Sequence, residues 1–227
     1  MARPRNDKLK EAIRREAWHL FATTGYHATS YTAMAEACGI KRPLVQYHFP
    51  KKEALAAQFL SNELKRTQEA WGFSDIDLSN SLDKIYAVGA AFYGSFCVPG
   101  GRSTFLCDIL ESRMLTDRVI PFNGSWIASH VAVASGGASN VAALCPPSDE
   151  IIVPFGGFHE ALYVHLDGGE PYDVAEGLAP VVRAIAKQLG YPLTQLHQLN
   201  PEESFGTFNL SATLHRMQEE SSASFSA

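Results

Sequence analysis

An all-α fold is predicted, with an N-terminal three-helix unit that contains a helix-turn-helix, followed by a larger helical body. Three observations predict it. Apolar residues recur at three- and four-residue spacing along residues 13–21, 151–166 and 174–189. Two short segments of helical character meet at Gly39. The second long stripe and the third are separated by Asp167-Gly168-Gly169, the signature of a helical hairpin.

Arg3 and Arg5 lie on an arm that precedes a first helix from about Asp7 to Thr24. Ile13, Ala17, Leu20 and Phe21 fall on one face of it, Gly25 ends it and Tyr26 packs beneath. Trp18, beside that stripe, reads as packing. Thr29 and Ser30 each offer a side-chain oxygen to the unsatisfied amides of a helix beginning near Tyr31. Met34, Ala35 and Cys38 give that helix a small apolar face, and Gly39 stops it where the backbone needs a positive φ. Ile40 fills the gap before a second helix from about Arg42 to Phe49, which tolerates Pro43 because its first-turn amides have no intrahelical acceptor. Val45 and Phe49, four apart, face inward.

Lys41, Arg42, Pro43, Leu44, Gln46, Tyr47 and His48 are left on the outside of barely two helical turns. That is more donor chemistry than packing requires, and it suits a major groove. Arg42 or Gln46 can meet base edges, Pro43 or Leu44 a thymine methyl, and Lys41, Tyr47 and His48 phosphates. Thr29 and Ser30 at one helix start and Lys52 at another join the DNA-facing set, Lys52 aided by the positive end of its helix dipole. A solvated surface helix is the plain alternative. Charge favours the first reading: the net charge is −5, but residues 1–66 hold 12 Lys and Arg against 6 Asp and Glu, whereas the remainder holds 7 against 18. A head of +6 on a body of −11 is the footprint of phosphate binding at one end.

These residues also carry a resemblance. Leu20-Phe21, Gly25-Tyr26, Ala28-Thr29-Ser30, Met34-Ala35, Gly39-Ile40, Tyr47-His48-Phe49 and Lys52-Glu53-Ala54-Leu55 make residues 9–55 similar to the DNA-binding domain of the tetracycline-repressor (TetR) family. The sequence departs from that family's pattern at Lys41, where Ser or Thr is usual, at Gln46, where Tyr is common, and at Ala33, where an acidic or polar residue often sits. The resemblance implies an all-helical homodimer whose variable C-terminal domain binds a small-molecule effector and thereby controls affinity for a palindromic double-stranded DNA operator. A repressor is expected.

A connector helix from about 51 to 71 follows, with Leu55, Phe59 and Leu64 inward. Residues 72–78 read as a loop, and helices are expected from Ser79 or Ser81 to Phe96, from Ser103 to about Leu115 and from Pro121 to about Ala143. Phe92, Tyr93, Phe96, Phe105, Met114, Phe122 and Trp126 alternate there with Gly89, Ala90, Ala91 and Gly94, a pattern that makes either a filled core or a pocket. The resemblance favours the pocket, with Cys97, Asp108, Ser112, His130, His159 and Tyr163 as its polar groups. Beyond Cys145-Pro146-Pro147, the stripe Ile151, Phe155, Phe158, Leu162, Leu166 and the stripe Val174, Leu178, Val181, Ile185, Leu189 form the hairpin. Paired with its copy it would give a four-helix bundle and hence the dimer interface; the alternative is a hairpin that packs on its own domain. Gly156-Gly157 allow close approach, and Pro154 predicts a late start or a kink.

The domain plan is therefore 1–50 for DNA binding with the connector, 72–190 for effector binding and dimerisation, and 191–227 as an extension, helical near Thr207–Glu220 and disordered at its end. Cys38, Cys97, Cys107 and Cys145 lack zinc or disulfide spacing, so free thiols are expected, with no metal and no cofactor. No apolar run reaches membrane-spanning length and the start lacks a secretory pattern, which predicts a cytoplasmic protein with no membrane partner. An enzyme is not expected: there is no Gly-x-Ser-x-Gly, phosphate loop or dinucleotide glycine pattern, and His159-Glu160 has no second histidine at metal spacing. A DNA-binding protein whose body serves only to dimerise remains the alternative function, and an enzyme on the same helical body the remote one.

Overall fold

The structure, a computed structural model, describes residues 4–71, 81–97, 102–120, 149–188 and 190–193. Among them the regular elements are α-helices and no strand. They divide into two packing units, residues 1–62 with 98–120 and residues 63–97 with 121–227. No helix among the described residues is long and apolar enough to cross a membrane.

The first unit begins with α1 (Pro4–Thr24), whose start precedes the expected one because proline, lacking an amide, suits the first helical position. Arg5 is therefore in a helix and not on an arm. Ile13, Ala17 and Phe21 are fully buried as the stripe required, with Leu20 half-buried. Gly25 ends the helix at φ +87. Then come α2 (Tyr31–Ala37) and α3 (Arg42–His48). Ser30 is the N-cap of α2, its Oγ accepting the Ala33 amide at 3.0 Å. Gly39, at φ +63, closes α2 with paired bonds from Gly39 N–H to the Glu36 carbonyl and from Ile40 N–H to the Ala35 carbonyl. Such an ending needs a left-handed residue, which is why the turn falls there.

Helix α4 (Lys52–Trp71) starts in this unit and ends in the other. The chain later returns to the first unit with α6 (Arg102–Leu110) and α7 (Arg113–Val119), after α5 (Ser81–Cys97) in the second. One helix was expected over 103–115; it breaks at Ser112, which is extended at φ −114, and the Thr116 hydroxyl donates to the Ile109 carbonyl across the break. Phe105 of α6 is wholly buried, its ring centroid 5.2 Å from Phe21, 5.1 Å from Phe59 and 6.5 Å from Tyr26. Expected on an effector pocket, Phe105 instead completes the core of the first unit. Met114, expected beside it, is 55% exposed on α7.

In the second unit α5 is buried along nearly its whole circumference, the mark of a central helix. It packs with α8 (Asp149–Gly168) and α9 (Val174–Gln188), the expected hairpin. Helix α8 runs through Pro154 from Asp149, so the proline does not delay it. Leu178 of α9 seats against Gly89 of α5, where a Cβ would lie 2.7 Å from a leucine methyl. The stripe assigned to a dimer interface is consequently occupied: Phe155, Phe158, Leu162, Val174, Leu178, Val181 and Ile185 are all buried within one chain, and Leu166 half-buried. The spacing correctly identified a burying face, but α5 of the same chain covers it. The expected loop at 72–78, the helix at 121–143 and the helix near 207–220 lie outside the described residues.

Replacing Phe105 with Ala should cost about 3–5 kcal/mol in urea unfolding, the usual cost of deleting a fully packed ring. A pocket-lining ring would cost far less, so a cost below ~1 kcal/mol would return Phe105 to the wall of a cavity.

Candidate nucleic-acid interface and effector cluster

Helix α3 is seated by Val45, fully buried, and by Phe49, which follows it and is 4% exposed. Its start is bare: Lys41 occupies the N-cap with no side-chain hydrogen bond, and Pro43 serves in the first turn. The departure from a hydroxyl cap thus leaves the backbone geometry intact while putting a cation at the helix start. Lys41, Arg42, Pro43, Leu44, Gln46 and Tyr47 are all exposed. Leu44 at 37% and Tyr47 at 74% stand out, because large apolar or aromatic side chains left outside a helix with a full inner face are available for contact.

The remaining DNA-facing candidates are occupied elsewhere. Thr29 is fully buried, and its Oγ1 donates to the Gly25 carbonyl at 2.7 Å. Lys52 lies part-buried, with Nζ donating to the carbonyls of Tyr26 at 2.8 Å and Thr29 at 3.1 Å and sitting 4.1 Å from the Tyr26 ring centroid. Burial pushes this ammonium below its ordinary pKa, opposed by Asp108 and then Glu53. The Tyr26 phenol is pushed up to about 12, chiefly by burial and then by Glu53 and Tyr31. The Ser30 hydroxyl is exposed but caps α2. His48 is half-buried with its Nε2 enclosed, so that nitrogen is turned away from any phosphate; its ring meets Tyr47 edge-on at 5.2 Å. The structure thus separates six outward residues of the reading helix from Thr29, Lys52 and the His48 Nε2, which serve the fold.

Sequence reading missed the bonds that tie α6 to the α1–α2 turn. Asp108 Oδ2 accepts the His27 amide at 2.9 Å, and His27 Nε2 lies 3.1 Å from Glu111 Oε2. No local pattern could have revealed pairs separated by 81 and 84 residues.

In the second unit, Phe92, Tyr93 and Phe96 of α5 and His159 of α8 do come together. Tyr93 is fully buried, its hydroxyl 2.7 Å from His159 Nε2 and its ring 5.0 Å from Phe158. Burial alone raises the phenol pKa, so the hydroxyl keeps its proton, and the histidine tautomer sets which of the two groups donates. Phe92 and Phe96 meet edge-on at 5.4 Å, and Tyr163 is half-buried on α8. Burial also pushes the Cys97 thiol up to about 12, leaving it inert. Phe105, Met114, Asp108 and Ser112 belong to the first unit. Phe122, Trp126 and His130 lie outside the described residues. No group of three potential metal ligands occurs among the described residues.

Residues 13–59, from the middle of α1 through the α2–α3 pair and into α4, match the family described as bacterial regulatory proteins, tetR family. Among solved structures, one titled as a gamma-butyrolactone receptor (ArpA like protein) is similar at 18% identity and a TM-score of 0.42, over 94% of this chain and 98% of that one. No curated protein matches. The helix-turn-helix unit at the N-terminus, residues 13–59, is thus one of the tetR family of bacterial regulatory proteins.

Proposed function

We propose that this regulator binds a roughly palindromic operator as a homodimer, represses transcription, and releases DNA when a small molecule occupies the helical body. The observation that carries the reading is the outer face of α3, where Arg42, Pro43, Leu44, Gln46 and Tyr47 are exposed on a helix pinned from behind by Val45. Arg42 and Gln46 read base edges, Pro43 and Leu44 meet thymine methyls, and Lys41 and Tyr47 hold phosphates. The protein acts on chromosomal DNA in the cytoplasm.

Two such helices must meet successive major grooves, about 34–36 Å apart, which requires a second copy. The surface for it is the outer face of the hairpin. Val153 and Val164 of α8 are 69% and 56% exposed, and with the exposed Gly157 and Glu160 they fall at i, i+4, i+7 and i+11. A Cβ on Gly157 would meet nothing within 4 Å, so another helix can approach closely there. On α9 the exposed Pro180 and half-buried Ala184 continue a low-relief surface.

The effector stabilises the body conformation whose reading helices no longer match the grooves, a shift of population. Phe92, Tyr93, Phe96, His159 and Tyr163 supply aromatic surface with few charges, which suits an apolar or planar molecule over a sugar or a metal. One observation favours a second reading, a regulator without an effector: Tyr93 and His159 already satisfy each other inside a closed ring cluster.

Genome-fragment selection with the purified protein should enrich a palindromic duplex. Arg42→Ala should relax one base position at a cost of about 1–3 kcal/mol, whereas Lys52→Met should lower the thermal midpoint and leave the salt slope unchanged. A slope reduced by about 0.9 in Lys52→Met would return that lysine to a phosphate. Val164→Glu should yield a folded monomer in analytical ultracentrifugation, while Leu178→Ala should destabilise the fold by about 2–5 kcal/mol. An intact Val164→Glu dimer would refute the outer hairpin face as the interface.

A further inference from the structure

The turn between α1 and α2 is held at almost every residue. Thr29 Oγ1 bonds the Gly25 carbonyl, Lys52 Nζ bonds the carbonyls of Tyr26 and Thr29, and the His27 ring faces Glu111. The remaining hold is the His27 amide, which donates to Asp108 of α6. Helix α6 rides so close that a Cβ on Gly25 would lie 2.7 Å from Asp108 Oδ2 and 2.9 Å from Thr104 Cγ2. The turn then runs directly into Ser30, the N-cap of α2, which is joined to α3 through Gly39.

We propose that Asp108 is a positioning residue for DNA reading: from α6 it fixes the α1–α2 turn and thereby the placement of the α2–α3 pair. The role rests on the DNA-binding reading above. It is not one of electrostatic attraction, since Asp108 is an acidic residue that packs in the same unit as the basic residues 1–62. Charge alone would make its removal strengthen binding to phosphate. A positional role has the opposite sign, because a loosened turn lets the reading helix sample placements that do not match the groove, and the ordering must then come out of binding energy. Asparagine keeps an oxygen acceptor for the His27 amide, so it should preserve the placement while removing the charge.

The test uses the full chain as wild type, Asp108→Ala and Asp108→Asn, with the duplex that the wild type enriches from genome fragments as the probe. Amide hydrogen exchange is measured alongside affinity. In Asp108→Ala, exchange at His27 should accelerate about tenfold or more while protection of the Ile13–Phe21 core persists. Duplex affinity should fall about tenfold with the salt slope unchanged, since no phosphate contact is lost. Asp108→Asn should restore both His27 protection and affinity to at least the wild-type level. Equal or tighter binding by Asp108→Ala would overturn the proposal. So would loss of protection throughout α1, which would make Asp108 a general support of the core. If the wild type enriches no duplex, the DNA-binding reading fails and the positional role falls with it; enrichment by wild type with no deficit in Asp108→Ala refutes the positional role alone.

Discussion

The DNA-reading unit depends on an aromatic ring supplied from far along the chain. Phe21 of α1, Tyr26 of the following turn and Phe59 of α4 leave an apolar space that Phe105 of α6 fills. Ring pairs of this kind contribute about 0.5–1.5 kcal/mol each beyond the burial of their area. The stretch matching the family, residues 13–59, is therefore not a closed packing unit by itself. The chain leaves after Asn62, builds α5 in the other unit, and returns at residue 98. Sequence well beyond the matched stretch, residues 98–120, is thus built into the helix-turn-helix unit.

The same arrangement sorts polar residues by the work left for them. A lysine or threonine near a DNA-facing helix contributes to binding only when its donors are not already satisfied, because counterion release requires a contact with phosphate. Lys52 and Thr29 spend their donors on the α1–α2 turn, and the buried Thr29 has no path to solvent. Arg42, Gln46 and Tyr47 keep theirs in water. The positive charge of the head is thus divided between residues that hold the turn and residues that face outward.

In the body, α5 acts as the central post. With Gly89 opposite Leu178, it accepts α9 at close range, and the Tyr93–His159 bond closes the contact with α8. Consuming the inner faces of the hairpin within one chain leaves Val153 and Val164 on the outside.

Much of this protein was decided locally and could be read without coordinates. The all-α class, the turn at Gly39, the capping serine at 30, the inward Val45 and Phe49, the hairpin and its inner stripe all follow from short-range physics, in which backbone dihedrals and a 3.6-residue period act over a few neighbours. What periodicity cannot specify is the partner, since it says that a face buries but not against which element. Only the tertiary structure could place Phe105 and Asp108 with the reading unit, assign the hairpin's inner face to α5, and turn Lys52 inward. Those outcomes rest on contacts between residues tens of positions apart, and the chain between them carries no local record of where they meet.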